Sequence, residues 1–385
     1  MWQFWSPKIV FGEESLEYLA EVKGNKAFIV TDEMMVKMGY VDRIENILKG
    51  SDIQSVVFNE VEPDPSYETV LKGKELLEQN DCDLIIGLGG GSPMDVAKAV
   101  RILYENPDVD IEDLSPMVEI SYEKTKLILI PTTSGTGAEV TPAIVLTSKG
   151  EGRKVPTTHP DFGANLAIVD PSLVMNLPKP LIAHTGMDAL THTIDAYISG
   201  WKNDFSDGLA IKALNMIFKY LPRSYSDSTD KEAKEKMHIA ATIAGLAFGN
   251  SQAGLSHTLG HTIGAVFHMP HGKACGICLP YTIQYASKSV GELIIELARY
   301  TGIQKDDEEA INEFVDKIFN LMDEIDIPRS LKDAGIKRGD YDANLDKLME
   351  NSLMDATIGT LPRIPTDEDF HKLWECVYEG RTVDF

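Results

Sequence analysis

The most constraining feature of this chain is the rhythm of its first half, where short β-rich runs alternate with helical patterns. Lys26 to Thr31, Ile53 to Val61, Asp83 to Leu88 and Lys126 to Ile130 read as strands, with helices between them. A crossover helix must bury its apolar stripe against the sheet, so this alternation predicts a parallel sheet covered by helices. Further strands are expected at Ala143 to Thr147 and Leu166 to Val169. After the proline-marked stretch from Pro171 to Pro180 the texture changes. Phe205 to Tyr220, Lys231 to Phe248 and Val290 to Tyr300 carry long helical patterns, and convincing strands disappear. We therefore expect an α/β domain over 1–180 and an all-α domain over 181–385, with the boundary near Pro178 to Leu181.

Composition narrows the partners. A net charge of -24 opposes association with phosphate backbones, which depends on clustered Lys and Arg, and argues against nucleic acid. No apolar run approaches the roughly 20 residues of a membrane span; the longest, His238 to Gly249, has the length of a core helix. Met1 to Val10 lacks the basic region and long apolar stretch of a secretory signal, so a cytoplasmic location is expected. Four cysteines in 385 residues do not make a disulfide framework, in keeping with a reducing compartment. The frequency of self-association among enzymes of this size makes a homo-oligomer the default expectation.

Two loops have the chemistry of a nucleotide site. The strand at Asp83 to Leu88 runs into Gly89, Gly90, Gly91, Ser92 and Pro93, and then into a helical pattern. Glycines let backbone N–H groups approach an anion, and the following helix offers its positive end. This is neither a G-x-G-x-x-G fingerprint nor a Walker loop, and alone it reads equally well as a tight structural turn. A second loop, Pro131 to Gly137, follows the next strand and is dense in hydroxyls and glycines. At the carboxyl end of a strand such a loop meets ribose, phosphate or nicotinamide, and its bland alternative is a hydrophilic turn. Asp32, just after the first strand, has two readings that are not exclusive. It accepts from adenosine ribose hydroxyls and repels a 2′-phosphate, favouring NAD over NADP, or it caps a helix beginning near Glu33.

The second half supplies a histidine-rich set. Asp188 and His192 are four apart, which on a helix puts both on one face. His257 and His261 repeat that spacing, and His268 and His271 follow, the latter in the loop-like stretch Met269 to Gly272. One carboxylate with several imidazoles suits a divalent ion such as Fe²⁺ or Zn²⁺. Each histidine taken singly reads as a hydrogen-bonded core or surface residue; the clustering is what favours metal. Spacing does not separate His257 from His261 as a ligand. Cys275 and Cys278 form a C-x-x-C that offers a competing thiolate or redox site, although their surroundings look like packing.

Taken together, these residues resemble the iron-containing (group III) alcohol dehydrogenase family over nearly the whole chain. The resemblance rests on Gly89 to Lys98, Pro131 to Thr141, Gly186 to His192 and His257 to Pro280, in that order. It implies a Rossmann-like parallel sheet followed by an all-helical domain, the fold shared with dehydroquinate synthase. It implies Asp188, His192, His257 and His271 as metal ligands, and His261 as a neighbour that assists proton movement. It implies cofactor contacts from Asp32, Asp64, Gly89, Gly90, Gly91, Ser92, Thr132, Thr133, Thr136, Val145 and Lys154, with Asp64 standing where relatives often carry Asn. Cys275 and Cys278 are not part of the family's metal pattern. Leu361-Pro362-Arg363 resembles a C-terminal feature of the family.

The expected function is metal-dependent hydride transfer between NAD(H) and a small alcohol or aldehyde. Two rivals stand beside it. One is another NAD- and metal-dependent reaction on the same fold, such as glycerol or hydroxy-acid oxidation; the other is a non-catalytic nucleotide- or metal-binding regulator.

Overall fold

Alternate residues of the central strands face two different cores, and this alternation builds the first unit of the computed structural model. The structure describes residues 3–148 and 153–385; Met1 and Trp2 of the N-terminal stretch considered above lie outside them. The strands are β1 (Lys8–Phe11), β2 (Lys26–Val30), β3 (Gln54–Phe58), β4 (Leu84–Gly89), β5 (Lys126–Pro131), β6 (Ala143–Ser148), β7 (Arg153–Thr158) and β8 (Leu166–Val169). Six of them form one sheet in the order β1-β8-β5-β4-β2-β3, with every pairing parallel. Ala27, Ile29, Leu84, Ile86, Ile128 and Ile130 lie in one core, and Phe28, Val30, Ile85, Leu127 and Leu129 in the other. The helices α1 (Glu33–Lys37), α2 (Tyr40–Gly50), α3 (Tyr67–Glu78) and α4 (Gly91–Glu105) follow their strands. Val41, Ile44 and Leu48 of α2 fill the first core, and Val70 of α3 with Val96 and Val100 of α4 fill the second.

From β2 the chain moves outward to β3 and returns on the other side of β2 as β4. Open α/β sheets bind ligands beyond the carboxyl ends of strands at such a reversal. Here those ends are the loops after β2 and β4, and Thr31 Oγ1 ties them together by donating to Leu88 O at 2.9 Å.

Sequence reading missed two strands. β1 has only four residues at a sheet edge, and β7 contains Pro156, which weakens a strand pattern. β7 matters because β6 pairs with it, antiparallel, outside the parallel sheet. A buried pair on α4 anchors this hairpin: Lys98 Nζ donates to Ala143 O at 2.7 Å, and Asp95 Oδ2 accepts from Val145 N at 2.9 Å.

The chain divides into two units, Met1–Asn176 and Leu177–Phe385. The second is helical: α5 (Lys179–Ile198), α6 (Asp204–Ser226), α7 (Lys231–Gly249), α8 (Leu255–Phe267), α9 (His271–Tyr300), α10 (Glu308–Glu324), α11 (Arg338–Met354) and α12 (Asp367–Glu379). The α/β-then-all-α class read from the sequence is the one observed. A helix buried on all sides should be apolar throughout, and α5 is buried without interruption from Thr185 to its end at Ile198. Yet it carries Asp188, His192 and Asp195, each at most 4% exposed. Ionisable groups there are costly unless they are paired with each other or with a cation.

One reading in this half is corrected: His271 is not in a loop but is the first residue of α9, with Pro270 at the N-cap. The helical pattern read from Val290 to Tyr300 is observed as the second arm of α9, set off from the first by non-helical backbone at Val290 (φ -127°, ψ 32°). Leu361-Pro362-Arg363 acts as a C-terminal clasp. Arg363 Nη1 donates to Tyr285 O at 3.1 Å and to Phe385 O at 2.9 Å, and its guanidinium lies over the Tyr285 ring.

Candidate functional site

The residues read as nucleotide contacts gather at the carboxyl ends of the strands and on the hairpin. Gly89 has φ 149°, and an added Cβ would meet Pro93 Cγ at 2.6 Å, so only glycine suits this turn. Gly90 caps α4, whose first turn has no capping side chain and no acidic residue, leaving its positive end available to an anion. Thr132 N donates to Gly89 O at 2.9 Å, which brings the second loop against the first. The Thr133 side chain lies beside Gly90 and Thr136 beside Gly91. The buried Thr133 Oγ1 has no hydrogen-bond partner among the described residues, a hydroxyl suited to a ligand.

Asp32 is the N-cap of α1: its Oδ1 accepts from Met34 N at 2.8 Å and Met35 N at 3.0 Å. The capping alternative therefore holds, and it engages one carboxylate oxygen. Asp64 and Lys154, read separately as cofactor contacts, form an ion pair with each other at 2.5 Å. Lys154 lies opposite Thr147 in the hairpin register, two positions from Val145, so all three share one face.

In the second unit, three helices deliver five of the six residues in the Asp/His set to one place. Asp188 Oδ1 lies 3.4 Å from His271 Nε2, 3.9 Å from His192 Nε2 and 3.9 Å from His257 Nε2. Four ligands about 2.1 Å from an ion stand roughly 3.4 Å apart in a tetrahedron, so this spacing accommodates one ion. His257 Nε2 is buried and makes no hydrogen bond among the described residues, as expected of a nitrogen reserved for a cation. The donors therefore fit a divalent metal. His192 is held between rings, stacked on Phe248 at 3.9 Å and on His257 at 4.6 Å between centroids. His261 stacks on His271 at 5.2 Å. His268 is an exposed left-handed cap of α8, apart from this group.

Glycines permit the gathering. A Cβ on Gly272 would collide with the His184 carbonyl and with Asp188 Cβ, so α9 rests directly on α5 at its first turn. A Cβ on Gly260 would strike Cys275 Sγ, which lets α8 and α9 close in the same way.

Sequence reasoning missed two carboxylates behind the histidines. Asp195 Oδ2 pairs with His257 Nδ1 at 2.8 Å and accepts from Gly254 N at 2.9 Å, while Asp195 Oδ1 accepts from Ser256 Oγ at 3.2 Å. Asp355 Oδ2 pairs with His261 Nδ1 at 2.9 Å, and Asp355 Oδ1 accepts from Thr357 N. Burial works against a charged His257, but the Asp195 hydrogen bond and the nearby carboxylates outweigh it and hold its pKa above the ordinary histidine value. The field that draws a proton to this imidazole equally draws a metal cation. Burial would raise the Asp355 pKa, yet His261 and Thr357 keep it below the usual carboxylate range. Asp195 was within reach of sequence reading, since Asp188, His192 and Asp195 stand at i, i+4 and i+7 on one helix face. Asp355, 94 positions from His261, gave no local signal.

The two cysteines differ. Burial pushes the Cys278 thiol far up, making it an inert packing group. Cys275 Sγ lies 3.6 Å from Nδ1 and 3.7 Å from Nε2 of His271.

A family model for iron-containing alcohol dehydrogenase matches residues 6–171, and one for the C-terminal region of the Fe-containing alcohol dehydrogenase family matches residues 182–378. The chain belongs to the iron-containing alcohol dehydrogenase family, whose members are metal-dependent oxidoreductases acting on alcohols. It is 40% identical to the NADPH-dependent butanol dehydrogenase of Clostridium saccharobutylicum, with all of both chains covered. It is 37% identical to the bifunctional aldehyde-alcohol dehydrogenase of Escherichia coli K12, covering 92% of this chain but 43% of that one. A crystal structure of a 1,3-propanediol oxidoreductase superposes with a TM-score of 0.93 at 29% identity, covering 98% of this chain and 100% of that one.

Proposed function

We propose that this chain interconverts a small alcohol and its aldehyde or ketone by hydride transfer with NAD(H), using one divalent ion of the Fe²⁺/Zn²⁺ class held by Asp188, His192, His257 and His271. The observation that carries the reading is the convergence of three imidazole nitrogens within 3.4–3.9 Å of one buried carboxylate oxygen. When bound, the ion supplies Lewis acidity toward an alcohol oxygen, and the nicotinamide supplies the hydride acceptor.

The chain's own residues supply the rest. Asp195 holds a proton on His257 Nδ1 and so keeps the Nε2 lone pair toward the ion. Asp355 orients His261 through Nδ1, leaving its other nitrogen to take the proton that the alcohol releases. The burial of Asp188, His192 and His257 excludes water, and His271, with 30% of its side chain exposed, marks the open side. In the first unit, Gly89 to Ser92 with Thr132, Thr133 and Thr136 cradle the dinucleotide, while Asp64, Val145 and Lys154 line its adenosine side.

Asp188→Asn tests the ion. We expect metal content to fall toward zero and turnover to drop at least about 100-fold; full metal and full turnover in this variant would overturn the ligand assignment.

NAD is preferred in this reading because the second oxygen of Asp32 would oppose a 2′-phosphate. Likeness to an NADPH-dependent butanol dehydrogenase favours the rival cofactor. Asp32→Ser separates the two by keeping the helix cap while removing the charge. NADH-selective wild type and a variant that gains NADPH use are expected, whereas a wild type preferring NADPH would reverse the assignment. Four buried cysteines outside any disulfide support a reducing, cytoplasmic location as part of the same proposal. Among the described residues no helix is long and apolar enough to cross a membrane.

A further inference from the structure

We infer that the first unit carries a second anion site, at the opposite end of its sheet from the nucleotide loops, and that it takes a small phosphate ester. The site is a cleft of about 690 Å³, within the range of small-molecule sites. It opens where β4, β5 and β8 begin, with Asp83, Lys126 and Asn165 at the amino ends of these strands. The six residues of β4 span roughly 20 Å, so the cleft and the Gly89 turn are too far apart to share one phosphate.

Four cations line the cleft in a chain of net charge -24: Lys23, Arg101, Lys124 and Lys126. Among the described residues none of them forms an ion pair; Arg101 and Lys124 instead lie 3.7 Å and 5.0 Å from the centres of the Tyr122 and Tyr104 rings. Arg101 is only 4% exposed. Its Nε and Nη2 donate to Thr125 Oγ1 at 3.4 Å and Thr125 O at 3.0 Å, while Nη1 makes no hydrogen bond among the described residues. A buried cation is costly unless a counter-ion meets it.

The acids around Arg101 do not fill that role. Glu105 accepts from the amides of Glu123, Lys124 and Thr125, and Asp83 from those of Asn25 and Lys26. Glu123 and Asp161, the other carboxylates of the lining, are exposed. Burial lowers the Arg101 pKa, and neighbouring Tyr122 and Glu105 do not offset it.

A guanidinium fork matches paired phosphate oxygens, and the lysines supply the further charge that a dianion calls for. Trp5 and Tyr122 add aromatic surface for the organic part of the ligand. Gly163 admits the indole: a Cβ there would fall 1.7 Å from Trp5 Cζ2.

The test is equilibrium dialysis of the full chain against phenyl phosphate, with NADH held at saturation so that the nucleotide loops are occupied. At about 0.15 M salt the reach of a surface charge is roughly 8 Å, which confines each substitution's effect to its own surroundings. Wild type should bind one phenyl phosphate. Arg101→Gln and Lys126→Glu should each weaken it about tenfold or more, with NADH affinity as in wild type. A wild type that takes up no phenyl phosphate, or uptake that neither variant weakens, would overturn the inference and leave Arg101 as a brace for Thr125. Lys126 is exposed, so Lys126→Glu decides if Arg101→Gln does not fold.

Discussion

Asp195 does its work through a single proton. An imidazole that binds a cation through Nε2 must carry its hydrogen on Nδ1, and a buried carboxylate 2.8 Å from that atom enforces this tautomer. In Asp195→Asn the amide also accepts a hydrogen bond, but it can turn its NH₂ toward the ring and stabilise the wrong tautomer. We expect the variant to fold and to bind Zn²⁺ or Fe²⁺ about 10- to 100-fold more weakly in chelator competition; unchanged affinity would mean that Asp195 serves only to satisfy Gly254 and Ser256. The same comparison shows what sequence spacing can and cannot resolve. Helical periodicity makes Asp188 and His192 legible as a pair, and His257 and His261 as another. What distinguishes His257 from His261 is the carboxylate each leans on, and Asp355 reaches His261 only through tertiary packing.

Among elements, the α4–β5 connection shows a carboxylate used as a clamp. Glu105 ends α4, where the helix dipole disfavours an acid. Its oxygens nevertheless accept from Glu123 N at 2.8 Å, Lys124 N at 2.9 Å and Thr125 N at 2.6 Å, fixing the entry to β5. Burial would raise its pKa, but these hydrogen bonds and the Thr125 hydroxyl overcome it and lower the value. A carboxylate lowered on folding adds stability above its unfolded pKa and loses it as pH falls through the folded one. Glu105→Gln should therefore cost about 1 kcal/mol near neutral pH, partial exposure moderating the effect, with the difference from wild type narrowing as acid protonates the clamp. Urea midpoints at neutral and acid pH measure it, and an undiminished gap in acid would refute the account. The main strands, α6, α7 and the second arm of α9 were readable because their apolar patterns are local. The start of α9 was not, because Pro270 and Gly272 look like loop residues until α5 is seen lying against Gly272.

For the whole molecule, the matched family regions span both units, 6–171 and 182–378, and the chain is as long as the butanol dehydrogenase but under half of the bifunctional enzyme. An ion that binds only the native state stabilises it by mass action, by about 4 kcal/mol at 1,000 times its Kd. Anaerobic chelation should lower Tm, and Fe²⁺ or Zn²⁺ should restore it; a Tm indifferent to metal would show that no ion is tied to the fold. The proposed ligands come from α5, α8 and α9, and none of these helices alone offers more than two of the four. A newly made chain therefore has nowhere to keep an ion until those helices have packed. On that proposed ligand set, the choice of metal falls to the folded chain, and supply and the rate of exchange decide it.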